Sequence, residues 1–594
     1  MPQALVGVIV KLGVSKLVAT IAANVIVAAA TTAITSLLFK PSVPKPDASE
    51  RELKSPTPPR IYVLGKRRVF GSSMLFVNTT DSETVDVWAY CEGPIHAVAQ
   101  VYLNDDPVTI TAGSVQPLPD ESYAGNKVLA GYNLGAFTET AHAPVVARVP
   151  DWTVNHRGDR IVSGYLVKQA VKADEFLEVY PQGDGVTMSL VVEGRLCHDP
   201  RNPGSNPLDP ATWSYTDNAA LHLLWYFMTY RSFDYATRIA PRLSMWISAA
   251  DDCDVAMPLK DGGTEPKYRG CVMFSAEVEP KDIEEQFRQC FDGWTGRDEN
   301  GCVLVYSGKV TAPTFSVGPG MILDYEVQSF VESENTLNEI IVRHVSEPHD
   351  FNMVEPTPWR DDGDILDRGM IVSATAEYQV PSHTQARRLA KRQLARANAF
   401  NRGKVMLNHL GREAANHRFV ALKIVEAGAT FFDGIVEIIS AERDYETSGV
   451  TLDWISVDVN TDDWNPATED GEPAPTATKT YLSPLEAPTI ISASADFSDI
   501  GQSDDLGGSS VKGVRILIAA NGPIRDDLTW YARWRVNSGP WSERQYGDAD
   551  PGPGVSLVTD YVPYGTMVEV QVSYGTGDGR TSAWSLSKDV DTSP

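Results

Sequence analysis

Apolar and polar residues alternate along much of this chain, with the two-residue period of half-buried strands. The pattern is clearest at Val85–Cys91, where Val85, Val87, Ala89 and Cys91 face one way and Asp86, Trp88 and Tyr90 the other. Glu92-Gly93-Pro94-Ile95 then turns into a second strand at Val98–Leu103. Further strands are expected at Arg160–Val167, Val186–Val192, Cys302–Ser307, Met321–Val331 and Leu337–His344, then at Phe419–Val425, Ile435–Ala441 and Leu452–Val459. A last group, Val514–Ala519, Leu528–Val536 and Met567–Tyr574, reads as an antiparallel sandwich.

Between Asp217 and Trp294 the period becomes helical. A first helix, capped by Thr216 or Asp217, carries Ala220, Leu221, Leu223, Leu224, Trp225, Phe227 and Met228, an apolar surface so wide that it must be buried nearly all round. A second helix holds Trp246, Ala250 and Cys253 at helical spacing, and a third opens at Pro280. The third places Ile283, Phe287, Cys290 and Trp294 on one stripe, with Gly293 as its stop. Between the second and third, Gly262-Gly263 permit a tight reversal, and Thr264-Glu265-Pro266 lead into a short strand, Arg269–Phe274. Ser382–Phe400 is the most regular helix, with Ala386, Leu389, Ala390, Leu394 and Ala397 on one stripe and Arg387, Arg388, Lys391, Arg392 and Arg396 on the other.

Three stretches fit neither period. Leu5–Phe39 is a long apolar run interrupted by Lys11, Lys16 and Asn24, long enough by hydropathy to span a bilayer. It lacks the basic leader and cleavage site of a secretory signal. A membrane anchor, a helical plug packed on an oligomer axis, and a segment stored in one state and inserted in another all remain open for it. Residues 41–60 are rich in Pro, Ser, Lys and Glu, and residues 461–486 in Pro, Ala, Thr and acids; both read as linkers.

The succession NAALHLLWYFMTYRSFDYATRI followed by GGTEPKYRGCVMFSAEVEPKDIEEQFRQCFDGW resembles the central part of the tail-tip attachment, or host-specificity, protein of lambda-like long-tailed bacteriophages. The phrase YCEGPI with VYLND, the helix SHTQARRLAKRQL and the strand Gly434-Ile435-Val436-Glu437-Ile438 are similar to further segments of that family, and the likeness spans residues 55 to 460. The phrases TWYARWRVNSGPWSE and TMVEVQVSYGTGDGRTSAWS resemble strands C and F of a fibronectin type III module, with Met567 where that fold often has tyrosine. The resemblance implies a mainly β fold with an α+β insertion and two barrel-like tail-hub domains. The expected order is an N-terminal apolar helix (1–40), a Pro-rich linker (41–60), a first barrel with an insertion (61–205) and an α+β central domain (206–375). A second barrel (376–460), a Pro and acid-rich linker (461–486) and a fibronectin type III-like domain (487–594) complete it.

Charge and candidate chemistry change the picture little. A length of 594 residues calls for about three to five compact units. The net charge of −27, from 78 acidic against 51 basic side chains, argues against a sequence-independent nucleic-acid binder, which needs a basic stripe. In so acidic a chain the five cations of Ser382–Phe400 are expected to meet carboxylates of a neighbouring subunit. Six cysteines, at 91, 197, 253, 271, 290 and 302, show no zinc spacing and read as reduced, buried thiols; a Cys290–Cys302 bridge is the one pairing considered. Glu92 reads as a turn residue without a second carboxylate. His198 beside Asp199 is a lone pair in a loop, and Trp359-Arg360-Asp361-Asp362-Gly363-Asp364 a solvated acidic turn rather than a cation site. No catalytic, cofactor-binding or metal-binding residue is assigned and no cofactor is expected.

The expected function is structural. By the resemblance this is a homotrimeric hub of a phage tail tip that closes the tail tube, anchors fibre or tip proteins and opens for DNA ejection at host attachment. Its partners would be a distal tail protein, the tape-measure protein, other tip or fibre proteins and the host cell envelope. Genome DNA would pass without specific binding through a lumen whose acidic wall repels it. The expected location is the distal end of the virion's tail, after assembly in the host cytoplasm. Two other classes stay open: a glycan-degrading enzyme with an accessory fibronectin module, since dispersed carboxylates leave no signature, and a membrane-anchored adhesin.

Overall fold

Ile61–Val63 pairs antiparallel with Met273–Ser275, more than two hundred positions later, so the first strand of the described chain is already tied to its helical centre. The structure is a computed structural model and describes residues 58–594 apart from 119–121, 125, 173–178, 181–184, 330–335, 445–447, 477–484, 505–509, 526, 548–553 and 578–580. The expected apolar helix (1–40), nearly all of the first linker and part of the second lie outside the described residues. The chain is mainly β. No described helix is long and apolar enough to cross a membrane. Two compact units form, one of residues up to 478 without the short stretch 118–122, the other beginning at 479.

In the first unit, a six-stranded sheet runs in the order Ser72–Asn78, Thr84–Glu92, Ile161–Lys168, Val128–Leu134, Ser114–Val115, Ile110–Thr111. A four-stranded sheet follows the order Lys66–Phe70, Met188–Arg195, Ile95–Leu103, Asp106–Val108. Thr84–Glu92 is buried on both faces, because Val85, Val87, Trp88 and Tyr90 are all covered. A second six-stranded sheet has the order Ser316–Val317, Phe419–Glu426, Ala429–Arg443, Val450–Ser456, Asn401–Leu407, Ile322–Ser329, and so draws strands from both sides of residue 375. Among the described residues, neither six-stranded sheet closes on itself by pairing of its end strands. Within the sequence span of the second sheet, Glu339–Ser346 pairs parallel with Ser373–Tyr378 and antiparallel with Asn352–Val354 and Trp359–Arg360.

The helical centre comprises α1 (Ala219–Trp225), α2 (Leu243–Cys253) and α3 (Pro280–Cys290), followed by α4 (Asp362–Arg368) and α5 (His383–Ala397). Every residue of α1 is buried, and the chain continues in a wider, π-type turn at Tyr226–Tyr230, where Arg231 N–H donates to Tyr226 O at 2.9 Å. The cap is Asn218, not Thr216 or Asp217. Its Oδ1 accepts from Ala220 and Leu221 N–H at 3.1 and 3.2 Å, while Nδ2 donates to Ala250 O and Asp254 Oδ1, both at 2.9 Å. Only an amide can cap one helix and donate to the end of another, which a carboxylate at 217 could not do. Asn218→Ala is therefore expected to lower the denaturant midpoint of the first unit by an amount worth about 1–2 kcal/mol. Asn218→Asp should not rescue it, since a carboxylate would then face Asp254; a variant as stable as wild type would contradict this.

Two further expectations shift. Thr264–Pro266 is itself a strand, paired with Ala256–Pro258, and the strand placed at Arg269–Phe274 is displaced to Met273–Ser275. Helix α3 ends at Cys290, so Trp294 leaves the helical stripe and begins the strand Trp294–Arg297. The core between α1, α2 and α3 is aromatic: Tyr226, Phe227, Trp246, Phe274 and Phe287 are each at most 3 % exposed and touch edge-on or tilted.

The C-terminal unit is a sandwich. One sheet holds Thr489–Asp504, Ser510–Asn521 and Val555–Val558, with Val562–Pro563 also on the middle strand, and the other holds Ser542–Tyr546, Thr529–Val536, Met567–Gly575 and Lys588–Asp591. Val514, Ile516 and Ile518 from one sheet meet Trp530, Ala532, Val568, Val570 and Val572 from the other, each set at the period of two that a half-buried strand requires.

Candidate functional site: a buried arginine and carboxylate junction

Helix α5 begins at a serine cap, with Ser382 Oγ accepting from Gln385 N–H at 3.3 Å. Its stripe of Ala386, Leu389, Ala390, Leu394 and Ala397 faces the main core, as the periodicity requires. The opposite face carries five cations, and Arg387, Arg388 and Arg392 there are also buried. Contrary to the expectation of a neighbouring subunit, the carboxylates they meet belong to this same chain. Arg388 Nη2 reaches Glu265 Oε1 at 2.9 Å, Lys391 Nζ reaches Glu469 Oε1 at 2.6 Å, and Arg387 donates to the carbonyls of Thr357, Pro358 and Glu469.

The centre of this arrangement is Asp292. It occupies the turn directly after α3 with φ +50°, a left-handed conformation that aspartate tolerates better than most residues. Its carboxylate accepts from Arg392 Nε at 2.6 Å and Arg418 Nη2 at 3.0 Å, and is also bound by Arg396. Glu437, on the strand Ala429–Arg443, accepts from Arg396 Nε at 2.9 Å and Arg418 Nε at 3.0 Å. Arg392 additionally pairs with Asp462, and Arg418, 1 % exposed, donates to the backbone oxygens of Asp292 and Ser307 at 2.7 and 2.6 Å. Three guanidiniums and three carboxylates thus join the α3 turn, helix α5, an inner strand of the second sheet and the segment after residue 458. Planar guanidinium forks fit because each can hold two carboxylates at once.

Burial by itself pushes the Asp292 carboxyl up, but the nearby Arg396, Arg418 and Arg392 outweigh it and hold it well below the usual carboxylate range. Glu437 behaves alike, burial raising it and Arg396 and Arg418 bringing it net downward. Burial depresses Arg396, yet Asp292 and Glu437 hold its proton more firmly than in water. The carboxylates are therefore fixed anions with no proton to give at neutral pH. The arrangement's chemistry is cohesion, and the elements it binds are distant in sequence.

The residues weighed from sequence lie apart from this junction and from one another. Glu92 accepts from Tyr62 Oη and Arg60 Nη1, both at 3.4 Å, and faces Arg195 Nη2 at 3.7 Å. His198 is 3 % exposed, with Nδ1 2.8 Å from Ser205 Oγ and its ring edge-on to Tyr235; burial lowers its pKa and keeps it neutral. Asp199 is tied to Arg201 at 2.9–3.0 Å. The expected acidic turn is instead a short strand, Trp359–Arg360, leading into α4, because Asp361 caps that helix; Asp364 pairs with Arg368 and accepts from Asn338 Nδ2 at 2.9 Å. Among the described residues no group of three or more His, Cys, Asp or Glu is placed to hold a metal ion. All six cysteines are free and buried, so Cys290 and Cys302 are not bridged; their thiols face Gln379 O and Thr237 O instead. Sequence reading missed Asp292, Arg418 and Asp462 as partners of α5. Glu437, a lone acid between Val436 and Ile438 in a strand, was the one legible signal.

No family model matches this chain, and no curated protein does. Among solved structures, a chain described as part of the virion of a native gene transfer agent particle is 13% identical over 74% of this chain and 91% of its own length, with a TM-score of 0.45. A chain described as a myokine structure is 12% identical over 18% of this chain and 99% of its own, with a TM-score of 0.13. Neither likeness establishes a family.

Proposed function

We propose that this chain is a structural protein of a phage-like virion, and more finely the hub of a tail tip. The observation that carries the reading is a coincidence of place. The residues that resemble the tail-tip family, Asn218–Trp294 and Ser382–Leu394, build the aromatic core and supply Asp292 and Arg392 to the buried junction of the first unit. In this reading the two β-rich regions flanking the centre are the barrel-like hub domains, and the C-terminal sandwich, split three strands against four with one short extra strand, is a fibronectin type III-like module. The chain acts without catalysis. Three copies would surround a channel, with a distal tail protein, the tape-measure protein and fibre or tip proteins as neighbours, at the end of the tail that meets the host envelope.

Mass measurement in solution together with a low-resolution image tests this. The expected result is a trimer with a central bore. A monomer that cleaves cell-wall glycan would replace the hub with the enzyme class, and a full chain that stays dispersed only in detergent would favour the anchored adhesin.

A further inference from the structure

The segment 459–476, which composition alone marks as the start of a linker, is docked along helix α5. It forms two short helical turns, Val459–Asp462 and Pro466–Glu469. Its hold is mainly polar. Asp462 meets Arg392, and Glu469 meets Lys391 at 2.6 Å. Asp470, 3 % exposed, accepts from Lys260 N–H at 2.7 Å and from Trp464 Nε1 at 2.9 Å, and Glu472 pairs with the Lys260 ammonium. The apolar contribution is small: Trp464 stacks on Trp359 with centroids 5.8 Å apart and Lys391 Nζ lies 5.5 and 5.6 Å from the two rings, while Ala474 is buried. Ordering a backbone segment is entropically costly; the Lys260–Glu472 pair is half-exposed or more and the Lys391–Glu469 pair about one-fifth exposed, so dissolved salt reaches both and screens them, the first most.

We propose that residues 459–476 are a releasable latch along helix α5 of the first unit. Docked, the segment belongs to the first unit. Released, the segment itself spans at most roughly 60 Å of extended chain, at about 3.3 Å per residue. The trigger is loss of the Lys260–Glu472 and Lys391–Glu469 pairs by ionic competition, after which Asp462 is left as the segment's last charged hold, on Arg392. The pairs that Asp292 and Glu437 make with Arg396 and Arg418 are unaffected, because those charges are shielded from solvent salt. This inference stands on the latch contacts alone and does not depend on the hub reading.

Hydrogen exchange of the full chain tests it. The amides of Thr468, Glu469 and Asp470, bonded within the latch, are expected to be protected at low salt and to exchange about tenfold faster in 1 M NaCl or in Lys391→Glu. Exchange in Phe419–Glu426 should stay unchanged in both. The double variant Lys391→Glu/Glu469→Lys should restore protection, which a merely unfolded Lys391→Glu protein would not allow. Latch amides that stay protected in high salt and in Lys391→Glu would overturn the proposal, as would latch amides that exchange freely at low salt.

Discussion

Asp292→Asn should lower the stability of the first unit by about 3–5 kcal/mol, the usual cost of removing one partner from a buried ion pair. The substitution keeps the shape of the side chain, and asparagine adopts the left-handed turn as readily as aspartate, so backbone strain is not what changes. The charge is. Arg392, Arg396 and Arg418 would be left with Glu437 and Asp462, an uncompensated cation beside an arginine that is 1 % exposed. Denaturant unfolding should show the first unit's transition at a lower midpoint, with the C-terminal sandwich unmoved. An unchanged midpoint would mean that water or relaxation neutralises the junction. The pH dependence has a definite sign. The folded-state pKa values of Asp292 and Glu437 are depressed, so their stabilisation is fully present above the unfolded carboxylate values, about 3.9 and 4.3, and is lost as pH falls through the folded values. Wild type should therefore lose stability steadily below about pH 5, and Asp292→Asn should lose less over the same range.

Trp246→Ala is expected to cost a similar amount, about 3–5 kcal/mol, by a different mechanism. Trp246 on α2 is fully buried and edge-on to Phe227, with ring centroids 6.0 Å apart. Truncation leaves a cavity that the rigid helices around it cannot close. The indole Nε1 is buried without a hydrogen-bond partner, so Trp246→Phe removes an unsatisfied donor along with part of the ring. It should recover most of the loss. If Trp246→Phe proves as damaging as Trp246→Ala, the N–H has a partner after all and the packing explanation is incomplete.

Local pattern carried the elements well. The wide apolar face of α1, the two-faced α5 and the alternating sandwich strands follow from side-chain period, which is a property of the backbone and needs no knowledge of neighbours. Pattern failed where a choice depended on a distant group. Asn218 displaces Asp217 as the cap because its amide also reaches Asp254 and Ala250. Trp294 leaves the α3 stripe because the chain reverses at Asp292, and its Nε1 then donates to Ile438 O at 2.9 Å. The acid-rich stretch after residue 458 docks instead of dangling because the cations of α5 are within reach.

The sequence by itself determined most of the longer helices and strands, that the chain is mainly β around an aromatic helical centre, and that one helix sorts its cations from its apolar residues. It could not say what those cations face, since a charge's partner is a matter of through-space distance and burial, neither of which is written in spacing. Tertiary structure decided that the arginines of α5 turn inward onto Asp292, Glu437 and Asp462 of their own chain. A low-dielectric interior makes such pairs obligatory once the helix is covered on both sides.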